Sequence, residues 1–252
     1  DYAKSINANT GLLLKVHHSN FFMDGFVAAP SRRELATLAR KKRVPFVEDL
    51  GSGALLPTED WAGGHHETTP REALKTGVDI VCFSSDKMLG GPQAGVIAGK
   101  AKHINALKKH PFFRALRCDK LILSALQTVA ETYLHNEGES LPLNQVLRAT
   151  PQSIKHRANK LAKVLSELPL EIIVGEGESQ VGGGALPQVK LPSMTVDLIP
   201  DGITLKDFAA HLRRAPMPVI GIIQNHRFRL DLRTVPPGQD KALLQSIQSI
   251  FT

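Results

Sequence analysis

The sequence predicts an α/β half followed by an α+β module. Three observations carry that expectation. Four short apolar runs alternate with helical segments up to about residue 120, which is the pattern of βαβ units and a largely parallel sheet. Beyond that point two long amphipathic helices and an antiparallel strand pattern take over. The length of 252 residues fits one large domain or two modest ones, and the change of style sets the expected division at 1–120 and 121–252.

The first half reads as follows. Leu12 to His17, Val44 to Leu50, Ile80 to Ser85 and Ala94 to Gly99 are short apolar runs bounded by polar or glycine residues, as strands buried on both faces should be. Ser31 with Glu34 has the spacing of a capping box. Leu35, Leu38 and Ala39 then form an apolar face, and residues 40–43 supply basic charge for a last turn. Pro70 to Lys75 starts a helix stopped by Gly77, and Lys102 to Lys109 starts another. In the second half, Leu121 to His135 and Ser153 to Leu168 are expected helices, with a loop containing some helix between them. Glu171 to Val174, Gln188 to Leu191 and Met194 to Leu198 are expected strands. Phe228 to Arg233 alternates strictly and pairs with Val219 to Ile223 across Asn225-His226. Lys241 to Phe251 closes as a helix, and Gly182-Gly183-Gly184 is a local loop.

Composition excludes several classes. A 42% hydrophobic and 22% charged chain builds a core and is not disordered. Two cysteines, Cys82 and Cys118, make no disulfide scaffold and suit a reducing compartment. No run approaches the roughly 20 apolar residues of a membrane helix, and the first residues have no signal-peptide core. The start at Asp1 points to a fragment or a processed product. A net charge of +7 favours a polyanionic partner.

The chemistry concentrates in Phe83-Ser84-Ser85-Asp86-Lys87-Met88-Leu89-Gly90-Gly91-Pro92-Gln93-Ala94-Gly95. A lysine at the C-terminal edge of an α/β strand faces the usual ligand crevice. A partly dehydrated amine there loses basicity and can form a Schiff base with a carbonyl cofactor. Ser84 and Ser85 are candidate hydroxyl donors to a phosphate, and Gly90 and Gly91 allow close approach of backbone N–H groups to an anion. An isolated lysine in a turn is more often a plain surface residue. The weighting changes because Asp49 ends the preceding buried strand, 38 residues before Lys87. Pyridoxal phosphate enzymes of the aspartate aminotransferase type pair such a carboxylate with the ring nitrogen. His17, after the first strand, sits at the same sheet edge. Arg114 and Arg117, three apart on an expected helix, would share a face and form an anion site. Asp86 and Arg233 are placed with them on the substrate side, although the spacing of Arg233 is equally that of a residue facing solvent. The pairs His17-His18 and His65-His66 lack a third ligand at helical spacing and are read as no metal site. The two cysteines are read as core residues. No Gly-x-Gly-x-x-Gly, P-loop or Gly-x-Ser-x-Gly motif is present.

Together, Lys-Val-His-His-Ser-Asn (15–20), Asp-Leu-Gly-Ser-Gly (49–53), the 83–95 block, Arg-Ala-Leu-Arg-Cys-Asp-Lys (114–120), Gly-Gly-Gly-Ala-Leu-Pro (182–187), Pro-Val-Ile-Gly (218–221) and Leu-Asp-Leu-Arg-Thr (230–234) resemble the bacterial selenocysteine synthase family, the L-seryl-tRNA(Sec) selenium transferases. The resemblance runs in order through nearly all of the chain. It departs at Ser85, where the family has Gly, and at His18, where it has Thr or Ser. It implies a fold-type I pyridoxal 5'-phosphate transferase, here a partial large domain plus a small C-terminal one. It implies that Lys87 is the Schiff-base lysine, Asp49 the pyridinium partner, and Arg114 and Arg117 the pair holding a selenophosphate-type anion. The implied reaction converts serine-charged tRNA(Sec) to selenocysteinyl-tRNA(Sec) through an aminoacrylyl-tRNA, in the cytoplasm, within a homo-oligomeric ring of dimers. The family also carries a long N-terminal part expected to be missing from this chain. Two other readings stay open at this point: a related pyridoxal phosphate lyase acting on a small amino acid or amino sugar, and a silent tRNA-binding or oligomerisation fragment.

Overall fold

The computed structural model describes residues 1–18, 21, 23 and 25–251. Ser19 and Asn20, the end of the first quoted motif, lie outside the described residues. The chain forms two compact units, residues 1–144 with 181–189, and residues 145–180 with 190–252. The first unit runs α1 (Tyr2–Ser5), β1 (Leu13–Val16), α2 (Arg32–Lys42), β2 (Phe46–Gly51), α3 (Pro70–Lys75), β3 (Ile80–Ser84), β4 (Gly95–Gly99), α4 (Ala101–Lys109), α5 (Pro111–Leu116) and α6 (Lys120–Leu134). A division at residue 120 would separate α6 from this unit, yet Val129 and Leu126 of α6 pack into its core beside Phe83 and Leu89. The glycine loop at 182–184 also belongs to it.

The four strands lie in the order β1-β2-β3-β4. The first three are mutually parallel and β4 is antiparallel to β3. The geometry follows from the connections. Helices α2 and α3 supply the crossovers that parallel pairing requires, whereas only residues 85–94 join β3 to β4, too few to cross over. Both crossover helices begin with the same device. Ser31 Oγ accepts from the Glu34 N–H while the Ser31 N–H donates back to the Glu34 carboxylate. Thr69 and Glu72 repeat it ahead of α3, where proline sits in the first turn. Three basic residues close α2, and Arg43 follows in the left-handed region.

One face of the sheet is packed. Leu35, Ala36 and Ala39 of α2 and Ala73 of α3 bury against Phe46, Leu50 and Val81. The opposite face carries Leu14, Val16 and Ile97, each about half exposed at 48%, 53% and 50%. Asp49 and Cys82, which are register partners, share that open face.

The second unit holds most of α7 (Pro142–Arg148), followed by α8 (Pro151–Leu165), β5 (Leu170–Gln180), β6 (Lys190–Pro200), α9 (Leu205–Arg214), β7 (Ile222–Gln224), β8 (Arg227–Asp231) and α10 (Asp240–Gln248). Its sheet is antiparallel, ordered β5-β6-β8-β7. Several elements differ from the sequence expectation. The two runs at 188–191 and 194–198 are one strand that passes through Pro192. Proline is tolerated there because β8 pairs only with residues 195–198, so β6 lacks a second neighbour at Pro192. The alternation at 228–233 ends as a strand at Asp231, whose Oδ1 accepts the Arg233 N–H and turns residues 232–234 into a 3₁₀ turn. Helix α9 has no counterpart in the sequence reading. The β7–β8 hairpin turns at Asn225 and His226, with φ of 51° and 57°, the signature of a type I′ turn.

The core of this unit gathers Ile154, Leu161 and Leu165 of α8, Phe208 and Leu212 of α9, Leu198 of β6, and Phe228 and Leu230 of β8. The rings of Phe208 and Phe228 meet edge to face at 5.5 Å. Asp197 is buried, and its two carboxylate oxygens accept from Nε and one terminal nitrogen of Arg229, at 2.7 and 2.8 Å. The Arg229 guanidinium holds the Asp197 carboxyl below the usual carboxylate range. Because Phe228 is 1% exposed, Phe228→Ala should cost about 3–5 kcal/mol of unfolding free energy, read from the midpoint of urea denaturation.

Candidate active site

The site is built by the alternation of side chains along β2. Phe46, Glu48 and Leu50 point to the packed face, and Val47, Asp49 and Gly51 point to the open one. Glu48, 1% exposed, is held by Arg32 at the start of α2. Its two carboxylate oxygens take Nε at 2.5 Å and a terminal nitrogen at 3.0 Å, and that nitrogen also reaches Thr68 at 3.2 Å. With its neighbour clamped on one side, Asp49 is committed to the other. Its Oδ1 accepts the Gly51 N–H at 3.2 Å.

Lys87 enters from the loop after β3. That loop is tied inward by its own backbone: Ser85 N–H to Ala94, Gly90 N–H to Lys87 and Gly91 N–H to Ser85, at 2.9, 3.0 and 2.8 Å. It is tied outward by the Met88 N–H to the Ser52 carbonyl at 2.8 Å. Gly53 makes this close approach possible, because a Cβ there would lie 2.7 Å from the Ser84 carbonyl oxygen, and its φ is +71°. The result is a half-buried Lys87. Together with Asp49, His17, His18, Ser84, Val16, Phe21 and Gly51 it lines one cleft of about 340 Å³. The glycine loop leans on the same lysine: a Cβ at Gly184 would sit 2.6 Å from both Cε and Nζ of Lys87.

His17 has a partner that the sequence did not indicate. Its Nε2 lies 3.4 Å from Glu67 Oε1, a buried carboxylate that also accepts the Ser52 hydroxyl at 2.7 Å. Glu67 raises the His17 pKa, and burial only partly opposes it. Glu67, Ser52, the Arg32–Glu48 pair and Gly184 are the site features missed by sequence reasoning. The polar run at 63–69 gave Glu67 no periodicity that would single it out, and the glycine triplet read only as a loop.

Several expected site residues are elsewhere. Ser85 is fully buried, and its hydroxyl is spent on the carbonyls of Pro92 and Ala94. It faces the loop interior and is no phosphate donor. The Gly90 and Gly91 amides are likewise consumed inside the loop and form no anion cradle. Arg114 lies on α5, but Arg117 follows the helix in extended backbone, with φ −63° and ψ 143°. The shared helical face does not exist, because the helix ends at Leu116. Both arginines are exposed, and neither they nor the exposed Asp86 line the cleft. Arg233 is 4% exposed and donates to the carbonyls of Val146, Leu147 and Pro192 at 2.9, 3.1 and 2.7 Å. It is neither on a strand nor turned to solvent or substrate. It ties together the main chain of the second unit. Burial pushes its guanidinium pKa down.

His66 is engaged by two carboxylates, Glu59 at 2.6 Å and Glu72 at 3.3 Å. Cys82 is half-buried, and burial with Asp49 beside it pushes the thiol pKa up, opposite to what a reactive cysteine needs.

The chain matches the family model described as L-seryl-tRNA selenium transferase over residues 1–236. It is 43% identical over 238 residues to the L-seryl-tRNA(Sec) selenium transferase of Carboxydothermus hydrogenoformans, covering 93% of this chain and 51% of that protein. It is 41% identical to that of Hyphomonas neptunium, covering 99% and 54%, and 36% identical to that of Aquifex aeolicus, covering 100% and 56%. The chain therefore spans about half the length of the curated relatives it matches. Among solved structures, a D-glucosaminate-6-phosphate ammonia-lyase superposes with a TM-score of 0.59 at 18% identity, covering 98% of this chain and 59% of that one. At that identity the likeness is one of fold.

Removing the Glu48 carboxylate leaves the Arg32 guanidinium without its main partner. Glu48→Gln should cost about 3 kcal/mol, the low end for a broken buried pair because Arg32 keeps some exposure. Thermal unfolding of the variant checks this.

Proposed function

This chain belongs to the L-seryl-tRNA selenium transferase family, and from that premise we propose that it supplies the lysine-bearing half of a pyridoxal phosphate site that converts seryl-tRNA(Sec) to selenocysteinyl-tRNA(Sec). The observation that carries the proposal is that Lys87, from the loop after β3, and Asp49, on the neighbouring parallel strand β2, line one cleft. The residues present fit the group. A half-buried lysine stands in the loop just beyond β3, a carboxylate on β2 lines the same cleft, and a glycine at 184 leaves room that a Cβ would take from the lysine.

In this reading Lys87 anchors the cofactor through its amine. The Lys87 amine, at the same cleft, would be the base for the seryl α-proton. Asp49 would be the carboxylate that holds the ring nitrogen as its cation. His17 and Ser84 line the remaining wall. When bound, pyridoxal phosphate supplies a ring that accepts the electron pair released at the α-carbon. Arg114 and Arg117, both exposed, are the cations proposed to meet the phosphate-like end of selenophosphate. The basic stretches at 100–109 and 155–163 suit contacts to the tRNA backbone. Exposed apolar side chains on α5 and α6, Leu116 at 80% and Leu121 at 74%, support burial against a second copy in a homo-oligomer. No helix among the described residues is long and apolar enough to cross a membrane. An enzyme acting on charged tRNA works where tRNA is charged, so the cytoplasm is its proposed location.

Two outcomes follow. Lys87→Ala should abolish the visible absorbance band formed on adding pyridoxal phosphate, and retention of that band would remove Lys87 from its role. Arg117→Ala should raise the KM for selenophosphate by about tenfold, the loss of one charge-assisted contact. An unchanged KM would remove the arginine from the donor site.

A further inference from the structure

We propose that Glu67 is the positioning residue for His17, a buried carboxylate anchored by Ser52 that holds the imidazole at the Lys87–Asp49 cleft as an oriented cation able to receive an anionic oxygen of the phosphate or carboxylate class. The inference deepens the reading of the cleft given above and rests on it for the identity of the ligand, but not for the His17–Glu67 coupling itself.

Three features of the geometry support it. Glu67 is 3% exposed, and a carboxylate so buried is costly unless its oxygens are occupied. Oε1 takes both the Ser52 hydroxyl at 2.7 Å and the approach of His17 Nε2 at 3.4 Å. The residue is also fixed from behind, since its N–H donates to Thr58 Oγ1 at 2.9 Å, and the Thr58 hydroxyl donates to the His65 carbonyl at 2.7 Å. The anchor is shared with the lysine loop: the carbonyl of the same Ser52 accepts the Met88 N–H at 2.8 Å. Ser52 thus fixes the partner of His17 and the backbone beside Lys87 at once.

The charges around the imidazole agree. Glu67 from the loop before α3 and Glu48 from β2 both favour the cation. Lys15 from β1 opposes it, as does burial. Asp49 and Lys87 share the cleft with it. The net effect raises the His17 pKa above its ordinary value of about 6.5. A group with a raised folded-state pKa adds stability that is fully present below its unfolded value. That stability is lost as pH rises through the folded value.

The test follows the ring nitrogens of His17 by NMR in the full chain, with Glu67→Gln as the main variant and inorganic phosphate as the probe. The wild type should titrate above the ordinary value, and Glu67→Gln should bring His17 down by about one pH unit or more. The pH dependence of stability in that range should flatten with it. Phosphate affinity at pH 7 should fall at least about fivefold, in proportion to the lost cation. The same substitution in a His17→Gln background should change phosphate affinity no further. Ser52→Ala, which keeps both charges but loosens the anchor, should shift His17 in the same direction by less, and it serves if Glu67→Gln does not fold. An unchanged His17 titration in both variants would overturn the proposal. So would an equal loss of phosphate affinity with and without His17. Failure of the wild type to attach pyridoxal phosphate at Lys87 would count against the enzyme reading and leave the His17 titration to be judged separately.

Discussion

The arrangement depends on Glu48 and Asp49 pointing to opposite faces of β2. Two adjacent carboxylates on one strand are easily confused, because a slip of one residue would exchange them. Arg32 prevents the exchange. Its fork closes on Glu48 on the packed side of the sheet, where an unpaired carboxylate would be costly. The apolar neighbours Phe46 and Leu50 enforce the same orientation by burial. Asp49 is left on the open face, in register with Cys82 of β3 and two residues before the end of that strand. From that one constraint the cleft follows: the loop after β3 brings Lys87 to it, and the end of β1 brings His17.

The loop after β3 shows how a short sequence can be spent on positioning. Its serine and two glycines look like ligand-binding groups when read in a row. In the fold they consume their own hydrogen bonds to hold the turn shut, which leaves the lysine amine as the group the loop presents. Ser84 and His17, unlike Ser85, line the cleft itself.

What the sequence revealed and what it did not divide along physical lines. Strands β1 to β4, the Ser31–Glu34 capping box and the Asn-His hairpin were legible because each rests on local patterning: apolar runs, a three-residue spacing, a turn dipeptide. That Lys87 and Asp49 share one cleft was legible because each lies at or just beyond the C-terminal end of a short apolar run. Arg117 was misplaced because a helix stop at Leu116 carries no glycine or proline to announce it. Arg233 was ambiguous because only tertiary structure brings the Val146, Leu147 and Pro192 carbonyls around it. Glu67 lay beyond sequence reasoning for the same reason, since its partners at 17 and 52 are far from it in the chain. The split of β6 into two runs was an overweighted proline, harmless on a stretch without a second strand neighbour.

The account stands or falls on Lys87 being the amine that the fold prepares for a carbonyl cofactor. The direct measurement is borohydride reduction of the chain after incubation with pyridoxal phosphate, followed by peptide mapping. The account predicts that the label sits on the peptide containing Lys87. A label confined to another lysine would contradict it.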